Sequence, residues 1–312
     1  MKKRSRSVYV PSGVSSFFEI SDRNTNGTQI EDPLRKGARG GGFIIEKGTT
    51  TVAESPSGLA MDEVLINGIL SAEARTSLAT IRLIRREFEI SPVRVSHSIA
   101  PPIGQGFGTS GAGALATSIA LSDLFELNLS LSEAARFAHV AEIESVTGLG
   151  TVISLASGTG AVGLVTEPGG FSVGRTDAIL VDSEDYTLVC AAFGPIQKSS
   201  VLSNEESRRR VNEFGHEALL KIQKDPTPAR LLSESRIFSE KTGLASTALL
   251  GLCDKAVQFG AVGAAPNMIG NAIHCLVERA RHGEFMQQFS VLVPRESLFE
   301  SPLIQSGPRI SS

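Results

Sequence analysis

The residues best suited to chemistry form a glycine-rich segment between a predicted strand and a predicted helix. The segment reads PPIGQGFGTSGAGAL and spans residues 101–115. Glycines let backbone N–H groups approach an anion closely, and a helix start adds unpaired N–H donors and the positive end of the helix dipole. The segment therefore predicts a cradle for phosphate. The residues expected to form it are Pro102, Gly104, Gly106, Phe107, Gly108, Thr109, Ser110, Gly111, Ala112 and Gly113.

Three kinds of phosphate loop compete for this segment, as does a loop that only packs two elements together. The Walker A loop ends in Gly-Lys-Ser/Thr, and it is excluded because no lysine occurs between Arg94 and Glu142. Residues 106–111 match the dinucleotide motif GxGxxG, which requires a strand after the helix; here a capping box at Ser130 opens a second helix instead. The third kind, PxGxGxGSSGA, is the loop of the GHMP kinases, and the segment fits it closely.

Composition and charge exclude several classes of protein. The 312 residues suit one large or two ordinary domains, and the net charge of -3 argues against a nucleic-acid binder held by bulk electrostatics. No apolar run follows the basic N-terminal tip, and the uncharged stretches 95–122 and 145–166 are rich in glycine, serine and threonine. We therefore expect neither a signal peptide nor a membrane span. The three widely spaced cysteines are typical of free thiols in a reducing cytoplasm.

The elements that must position the loop follow from the hydrophobic pattern. We expect a strand over residues 8–20, a turn at the glycines of 37–42 followed by a strand, and a helical pattern over 61–88. Alternation of apolar and polar residues predicts a strand over 93–99, directly before the loop. An alanine-rich helix follows the loop, through about residue 127.

The remainder of the chain predicts an α+β half. Short strands are expected over 152–182, then the order strand, helices, strand, helix, strand, which fits a ferredoxin-like arrangement. The final strand is expected at 289–294, and residues 305–312 are expected to form a loose tail.

Segments along nearly the whole chain are similar to the pattern of one family. They are VPSGVSSFFEI, RKGARGGGF, GQGFGTSGAGAL, AHVAEIESVTGLG, GPIQKSSVL, RIFSEKTGL and APNMIGNAI. On these segments the chain resembles the archaeal pantoate kinases of the GHMP kinase superfamily. The resemblance implies an α+β, two-domain GHMP kinase fold, with a ribosomal S5 domain 2-like, ATP-binding N-terminal half and a ferredoxin-like C-terminal half. With the acidic cluster 182–185 as the boundary, the halves are residues 1–182 and 183–312.

The resemblance also implies an activity, which is ATP-dependent phosphorylation of pantoate to 4-phosphopantoate in coenzyme A synthesis. Two positions depart from the family pattern: Thr151 replaces the usual aspartate of GLGD, and Gly163 lies near the place of an arginine expected to hold the substrate carboxylate. Alternatives are a GHMP kinase for mevalonate or homoserine, a nucleotide-binding paralogue with weak catalysis, and a dinucleotide-dependent oxidoreductase.

Two side chains are candidates for holding Mg²⁺ during phosphoryl transfer. Ser110 stands at the loop-to-helix junction, where its hydroxyl can bind Mg²⁺, donate to phosphate, or simply cap the helix. Glu142 lies three residues after His139, so the two share a helix face. The resemblance favours Glu142 as a Mg²⁺ ligand over an exposed charge, while His139 is a contact to the acceptor or a satisfied core histidine.

An anionic acceptor needs a cation at its carboxylate. Arg39 and Lys198 are the candidates because both lie in glycine- or serine-rich loops, whereas the three arginines at 208–210 fit a solvated helix face. Ser15 and Thr151 are candidates for hydrogen bonds to substrate. We expect ATP, Mg²⁺ and a small hydroxy acid as ligands, no nucleic acid and no membrane as partners, a cytoplasmic location, and a homodimer as the assembly to test.

Overall fold

The computed structural model describes residues 3–158, 160–195 and 204–311, which form two β-sheets with helices packed on them. The helices are α1 Arg75–Glu87, α2 Thr109–Phe125, α3 Leu131–Glu144, α4 Thr151–Ser157, α5 Glu205–Lys224, α6 Pro228–Thr242, α7 Thr247–Gln258 and α8 His282–Phe289. The larger sheet contains β1 Lys3–Arg4, β2 Ser7–Ser21, β3 Gly37–Ser55, β4 Glu63–Ile66, β5 Ile69–Leu70, β6 Arg94–Ile99, β7 Val162–Glu167, β8 Arg175–Ile179 and β13 Arg309–Ser311. The smaller sheet contains β9 Tyr186–Ala192, β10 Gly263–Pro266, β11 Ala272–Glu278 and β12 Leu298–Pro302.

Helix α2, which begins at the glycine loop, lies at the centre of the first layer of helices. In the part of the chain that the structure describes, the larger sheet has the order β13-β2-β3-β6-β4-β5; β1 and β7 also pair with β3, and β8 pairs with β7. α2 packs on β2 and β3 and is flanked by α1 and α3. Most of its residues are buried, because alanine, glycine and leucine occupy all sides of the helix. The glycine loop is therefore anchored at its C-terminal end by α2, a helix that is packed on most of its surface.

The smaller sheet has the antiparallel order β10-β11-β9-β12. In sequence, α5, α6 and α7 lie between β9 and β10, and α8 lies between β11 and β12. β9 and β11, the first and third strands of this half in chain order, are therefore central. β10 and β12, the second and fourth, lie at the edges, which is the ferredoxin-like arrangement. The predicted α+β, ferredoxin-like class of the second half is confirmed, while its predicted order lacked β10.

Two predictions for the first half are wrong. The glycines of 37–42 lie inside β3 rather than in a turn; a Cβ on Gly42 would lie 1.9 Å from Val14 O, so glycine is required for the close approach of β2. The helical pattern over 61–88 contains the hairpin of β4 and β5, and α1 starts only at Arg75. Short strands with few alternating residues do not produce a period that distinguishes them from helix.

Three further predictions are corrected nearer the C-terminus. The expected tail contains β13, which pairs antiparallel with β2. The strand expected at 289–294 is instead the end of α8 followed by a turn, with Phe289 and Val293 buried. The region expected to hold short strands begins with α4.

The second half of the chain packs closely on the larger sheet. A Cβ on Gly215 of α5 would lie 2.2 Å from Phe18 O of β2, so this helix crosses directly over the larger sheet. The chain also returns to the larger sheet after β12, where Leu303 bridges to Ile45 before β13 begins. The boundary at residue 182 stays a prediction. Among the described residues, no helix is long and apolar enough to cross a membrane.

Candidate active site

A cavity of about 560 Å³ lies where the glycine loop meets the two halves of the protein. Its walls come from β2, β3, the start of α2 and the turn between α3 and α4, and residues 268–269 close one side. Small-molecule sites commonly have volumes of about 300–1,000 Å³. The loop therefore opens into a space of the size that a small-molecule site requires.

Three glycines give the loop its shape. Gly104, Gly106 and Gly108 have φ angles of 77°, 81° and 65°, a left-handed conformation that other residues rarely adopt. Neighbours also leave no room for a side chain. A Cβ on Gly106 would lie 2.7 Å from Asn267 Cβ, and a Cβ on Gly108 would lie 2.8 Å from Thr151 Cγ2.

The first turn of α2 presents backbone donors to the cavity. Its N-cap, Gly108, supplies no side-chain acceptor, and no acidic residue lies in the first turn. Thr109, Ser110 and Gly111 all border the cavity, and the first N–H groups of a helix have no partner within the helix. The next N–H group, that of Ala112, already donates to Gly108 O at 3.0 Å. The donors of these three residues are therefore the ones positioned for an anion.

Three residues of the predicted cradle do not border the cavity, and a fourth has a different role. Ala112 and Gly113 are buried further inside α2, beyond the unpaired first turn, and Pro102 lies outside the cavity wall. Phe107 borders it, but its ring is buried and packs edge-to-face on Phe299, with centroids 5.3 Å apart. Phe107 therefore anchors the loop in the core.

Glu142 brings a buried carboxylate to the cavity. The residue is 1% exposed and lines the wall from α3. A Cβ on Gly111 would lie 3.1 Å from Glu142 Oε1, so the carboxylate is adjacent to the third residue of α2. Ser110 is exposed to the same cavity. The two side chains predicted to hold Mg²⁺ thus line one space.

His139 lies behind the cavity wall. It is fully buried, and its Nε2 atom is 3.1 Å from both Pro33 O and Lys36 O. Burial lowers the pKa of this imidazole, although the two carbonyls oppose the shift. The predicted contact between His139 and the acceptor is corrected, because the ring instead holds the segment that leads into β3.

The two positions that depart from the family pattern both border the cavity. Thr151 starts α4 and packs on the loop, with its Cγ2 methyl beside Gly108. Gly163 pairs with Gly42 between β7 and β3, and a Cβ there would meet nothing within 4 Å. Ser15 is also in the wall, where its carbonyl accepts a hydrogen bond from Met268 N at 2.8 Å.

Three arginines border the cavity, and each pairs with a carboxylate; Arg75 pairs with Glu73 and its side chain is 68% exposed. Arg39 pairs with Glu19 at 2.5 Å, and Arg208 pairs with Asp22 at 2.5 Å, with side-chain exposures of 32% and 15%. The prediction that Arg208 lies on a solvated helix face is wrong, because its side chain is mostly buried and borders the cavity. Lys198 lies outside the described residues.

The residues at the loop fit a Mg²⁺ ion that is coordinated partly by the protein and partly by a bound phosphate ligand. A hard cation prefers oxygen atoms and commonly takes one or two carboxylates together with phosphates and waters. Glu142 and Ser110 offer one carboxylate and one hydroxyl, and the described residues contain no cluster of three acidic, histidine or cysteine side chains that could hold a metal alone. A carboxylate beside a phosphate-binding helix start repels a bound phosphate unless a cation lies between them.

Comparison with known proteins agrees with this geometry. The family model described as the GHMP kinases N-terminal domain matches residues 75–158, from α1 through the loop to α4. Fold, loop and cavity therefore define a small-molecule kinase of the GHMP type. A solved structure described as a phosphotransferase related to the CoA biosynthesis pathway has a TM-score of 0.84 and 25% identity, and the match covers 100% of this chain and 99% of that one.

Similarity to two curated relatives identifies the family within the GHMP kinases to which this chain belongs. Pantoate kinase of Thermococcus kodakarensis is 31% identical over 242 residues, which are 76% of each chain. Pantoate kinase of Methanocaldococcus jannaschii is 24% identical over 277 residues, or 87% of this chain and 93% of the relative. This chain belongs to the pantoate kinase family of the GHMP kinases.

Proposed function

We propose that this protein transfers the γ-phosphoryl group of ATP to the primary hydroxyl of pantoate and so produces 4-phosphopantoate for coenzyme A synthesis. The observation that carries the proposal is a single cavity lined by the start of α2, the Glu142 carboxylate and three arginines, of which Arg39 and Arg208 have the less exposed side chains. A phosphate donor needs the first of these features, and an anionic acceptor needs the last. The relatives named pantoate kinase support this choice of acceptor.

In this proposal the loop from Gly104 to Gly111 binds the phosphates of ATP. The N–H groups of Thr109, Ser110 and Gly111 donate to phosphate oxygens, and the helix dipole favours their charge. Phosphoryl transfer asks a protein mainly for positioning and for charge neutralisation. Glu142 and Ser110 would hold Mg²⁺, which when bound supplies that neutralisation.

The acceptor lies toward Arg39 and Arg208, which bind its carboxylate. Phe18, which precedes Glu19 on β2, borders the cavity and is partly exposed, so it offers apolar surface to the branched carbon of pantoate. No general base is required, because a loose transition state demands little proton removal from the attacking hydroxyl. Thr151 then serves as a hydrogen-bond donor in the wall.

A panel assay tests the proposal. ADP release is measured with pantoate, mevalonate, homoserine and no acceptor, at fixed ATP and Mg²⁺. We expect ADP release to be faster with pantoate than with mevalonate, with homoserine or without an acceptor. Preference for mevalonate or homoserine would overturn the choice of acceptor, and ATP binding without turnover on any acceptor would favour a nucleotide-binding paralogue. A cytoplasmic location and a homodimer stay predictions.

A further inference from the structure

A chain of buried polar side chains connects the smaller sheet to the glycine loop. Asn267 follows β10, and its Nδ2 atom lies 3.0 Å from the backbone oxygen of Gln105, the residue between two glycines of the loop. Its Oδ1 atom lies 2.9 Å from His274 Nδ1, and His274 Nε2 lies 2.8 Å from Ser16 Oγ. Asn267, His274 and Ser16 are all 0% exposed. No step proposed above uses these three side chains.

The direction of every hydrogen bond in this chain follows from one contact. The Gln105 carbonyl can only accept, so the atom of Asn267 that faces it must be the NH₂ group. The other end of that amide is then an oxygen, which requires a proton on His274 Nδ1. His274 Nε2 is therefore the acceptor, and the Ser16 hydroxyl donates to it. The Gln105 carbonyl thus sets the orientation of Asn267 and the tautomer of His274, and the Ser16 hydroxyl supports both by donating to Nε2.

Gln105 is held at other points by the same half of the protein. Its side-chain Oε1 accepts from Gly194 N at 2.8 Å. A Cβ on Gly270 would lie 2.4 Å from the carbonyl carbon of Gln105, so this contact permits only glycine. The Gln105–Gly106 peptide is therefore clamped by the segment that runs from Asn267 to Gly270.

We propose that Asn267 is a positioning residue for the phosphate loop, and that Ser16 and His274 act through it by keeping its amide turned so that it donates to Gln105. The inference rests on the proposed function to the extent that the loop binds ATP. Met268, the next residue, borders the acceptor end of the cavity and donates to Ser15 O. One segment of the smaller sheet therefore contacts both the loop and the acceptor wall.

The variant Asn267→Asp tests the direction of the donor. Its carboxylate keeps an acceptor for His274 but places a second oxygen against the Gln105 carbonyl. Near pH 8 that carboxylate repels the carbonyl oxygen, so the hydrogen bond to the loop is lost. A carboxylate beside His274 Nδ1 also favours the protonated imidazole, so the carboxyl and the ring titrate as a coupled pair.

The experiment measures the dissociation constant of MgADP by calorimetry near pH 8 and compares Asn267→Asp with wild type. We expect the variant to bind MgADP at least about tenfold more weakly. The matched control is Thr242→Val, which removes a buried hydroxyl bonded to Phe238 O within its own helix. This control should leave MgADP binding unchanged.

Each result decides the inference. An affinity for MgADP equal to that of wild type overturns the positioning role. Where Asn267→Asp does not fold, Ser16→Ala leaves the buried Nε2 atom of His274 without its donor and so weakens the support of Asn267 without adding charge. Unchanged MgADP affinity in that variant overturns the role equally. Wild-type protein that does not bind MgADP would instead contradict the proposed function.

Discussion

The carboxylate of Glu142 contacts the backbone of Gly148, and a Cβ atom built on Gly148 would lie only 2.2 Å from Glu142 Oε1. Any residue larger than glycine at this position must therefore displace the carboxylate. The turn after α3 thus determines where the negative charge lies relative to the first turn of α2. Gly148 is a site residue that sequence reasoning did not select, although it stands in the GLG segment used for the family resemblance.

Replacing Glu142 by glutamine should lower kcat by about 10²-fold, because it removes one preorganised electrostatic group at nearly constant shape. Gly148→Ala should lower kcat as well, since the displaced carboxylate no longer lies beside Gly111. Steady-state kinetics at saturating pantoate and ATP measure both effects. Glu144→Gln, two residues along the same helix and paired with Arg82 outside the cavity, is the control and should change little. Near-normal turnover of Glu142→Gln would contradict the role of this carboxylate.

Gly108→Val should abolish ATP binding. A side chain at this position meets Thr151 Cγ2 and Gly13 O at 2.8 Å and 3.0 Å and closes the space in front of the helix start. Titration with ATP, with circular dichroism to establish that the variant folds, measures the effect. Gly58→Val separates loop geometry from backbone strain, because Gly58 also has a positive φ of 81° but no atom lies near its Cβ position. Equal ATP affinity of the two variants would show that the loop does not bind the phosphates.

Arg39→Ala and Arg208→Ala should each raise KM for pantoate by about tenfold or more, since a charge-assisted contact contributes roughly 1.5–3 kcal/mol. KM for ATP should change little, because neither residue belongs to the loop. Arg209→Ala is the matched control, since this adjacent arginine is 64% exposed and pairs only with residues of its own helix, Glu206 and Glu213. If neither Arg39→Ala nor Arg208→Ala affects KM for pantoate, the carboxylate binds elsewhere.

Much of the site could be predicted from local pattern, and the remainder depends on contacts between distant segments. The glycine loop and the capping box at Ser130 are local, and the structure contains both. Arg208 precedes the buried Val211 and Gly215 by three and seven residues, so helical periodicity places it on the buried face of α5. Because Arg209 and Arg210 follow it directly, the three arginines together have the pattern of a solvated helix face, and the burial of Arg208 was not predicted. The contact from Asn267 to Gln105 joins residues 162 positions apart, and no local pattern reveals such a pair.

Stability should fall as the pH drops from about 7 toward 5, because buried imidazoles must stay neutral. Burial lowers the pKa of His97 to about 4 and that of His274 to about 3. Below the unfolded-state pKa of about 6.5 the unfolded chain binds more protons, so each histidine costs up to about 1.4 kcal/mol per pH unit until its folded-state pKa is reached. Urea unfolding across this range measures the slope. His97→Gln should make it shallower, and an unchanged slope would contradict the account.

Transfer of a phosphoryl group from ATP to the primary hydroxyl of pantoate can be observed in the product itself. Phosphorus NMR after incubation with pantoate, ATP and Mg²⁺, together with the mass of the product, identifies the phosphorylated atom. We expect one new phosphate resonance that is coupled to the two protons of the terminal carbon, and with Glu142→Gln it should form about 10²-fold more slowly. ATP consumption without that resonance, or a phosphate on the secondary hydroxyl or the carboxylate, would contradict this expectation.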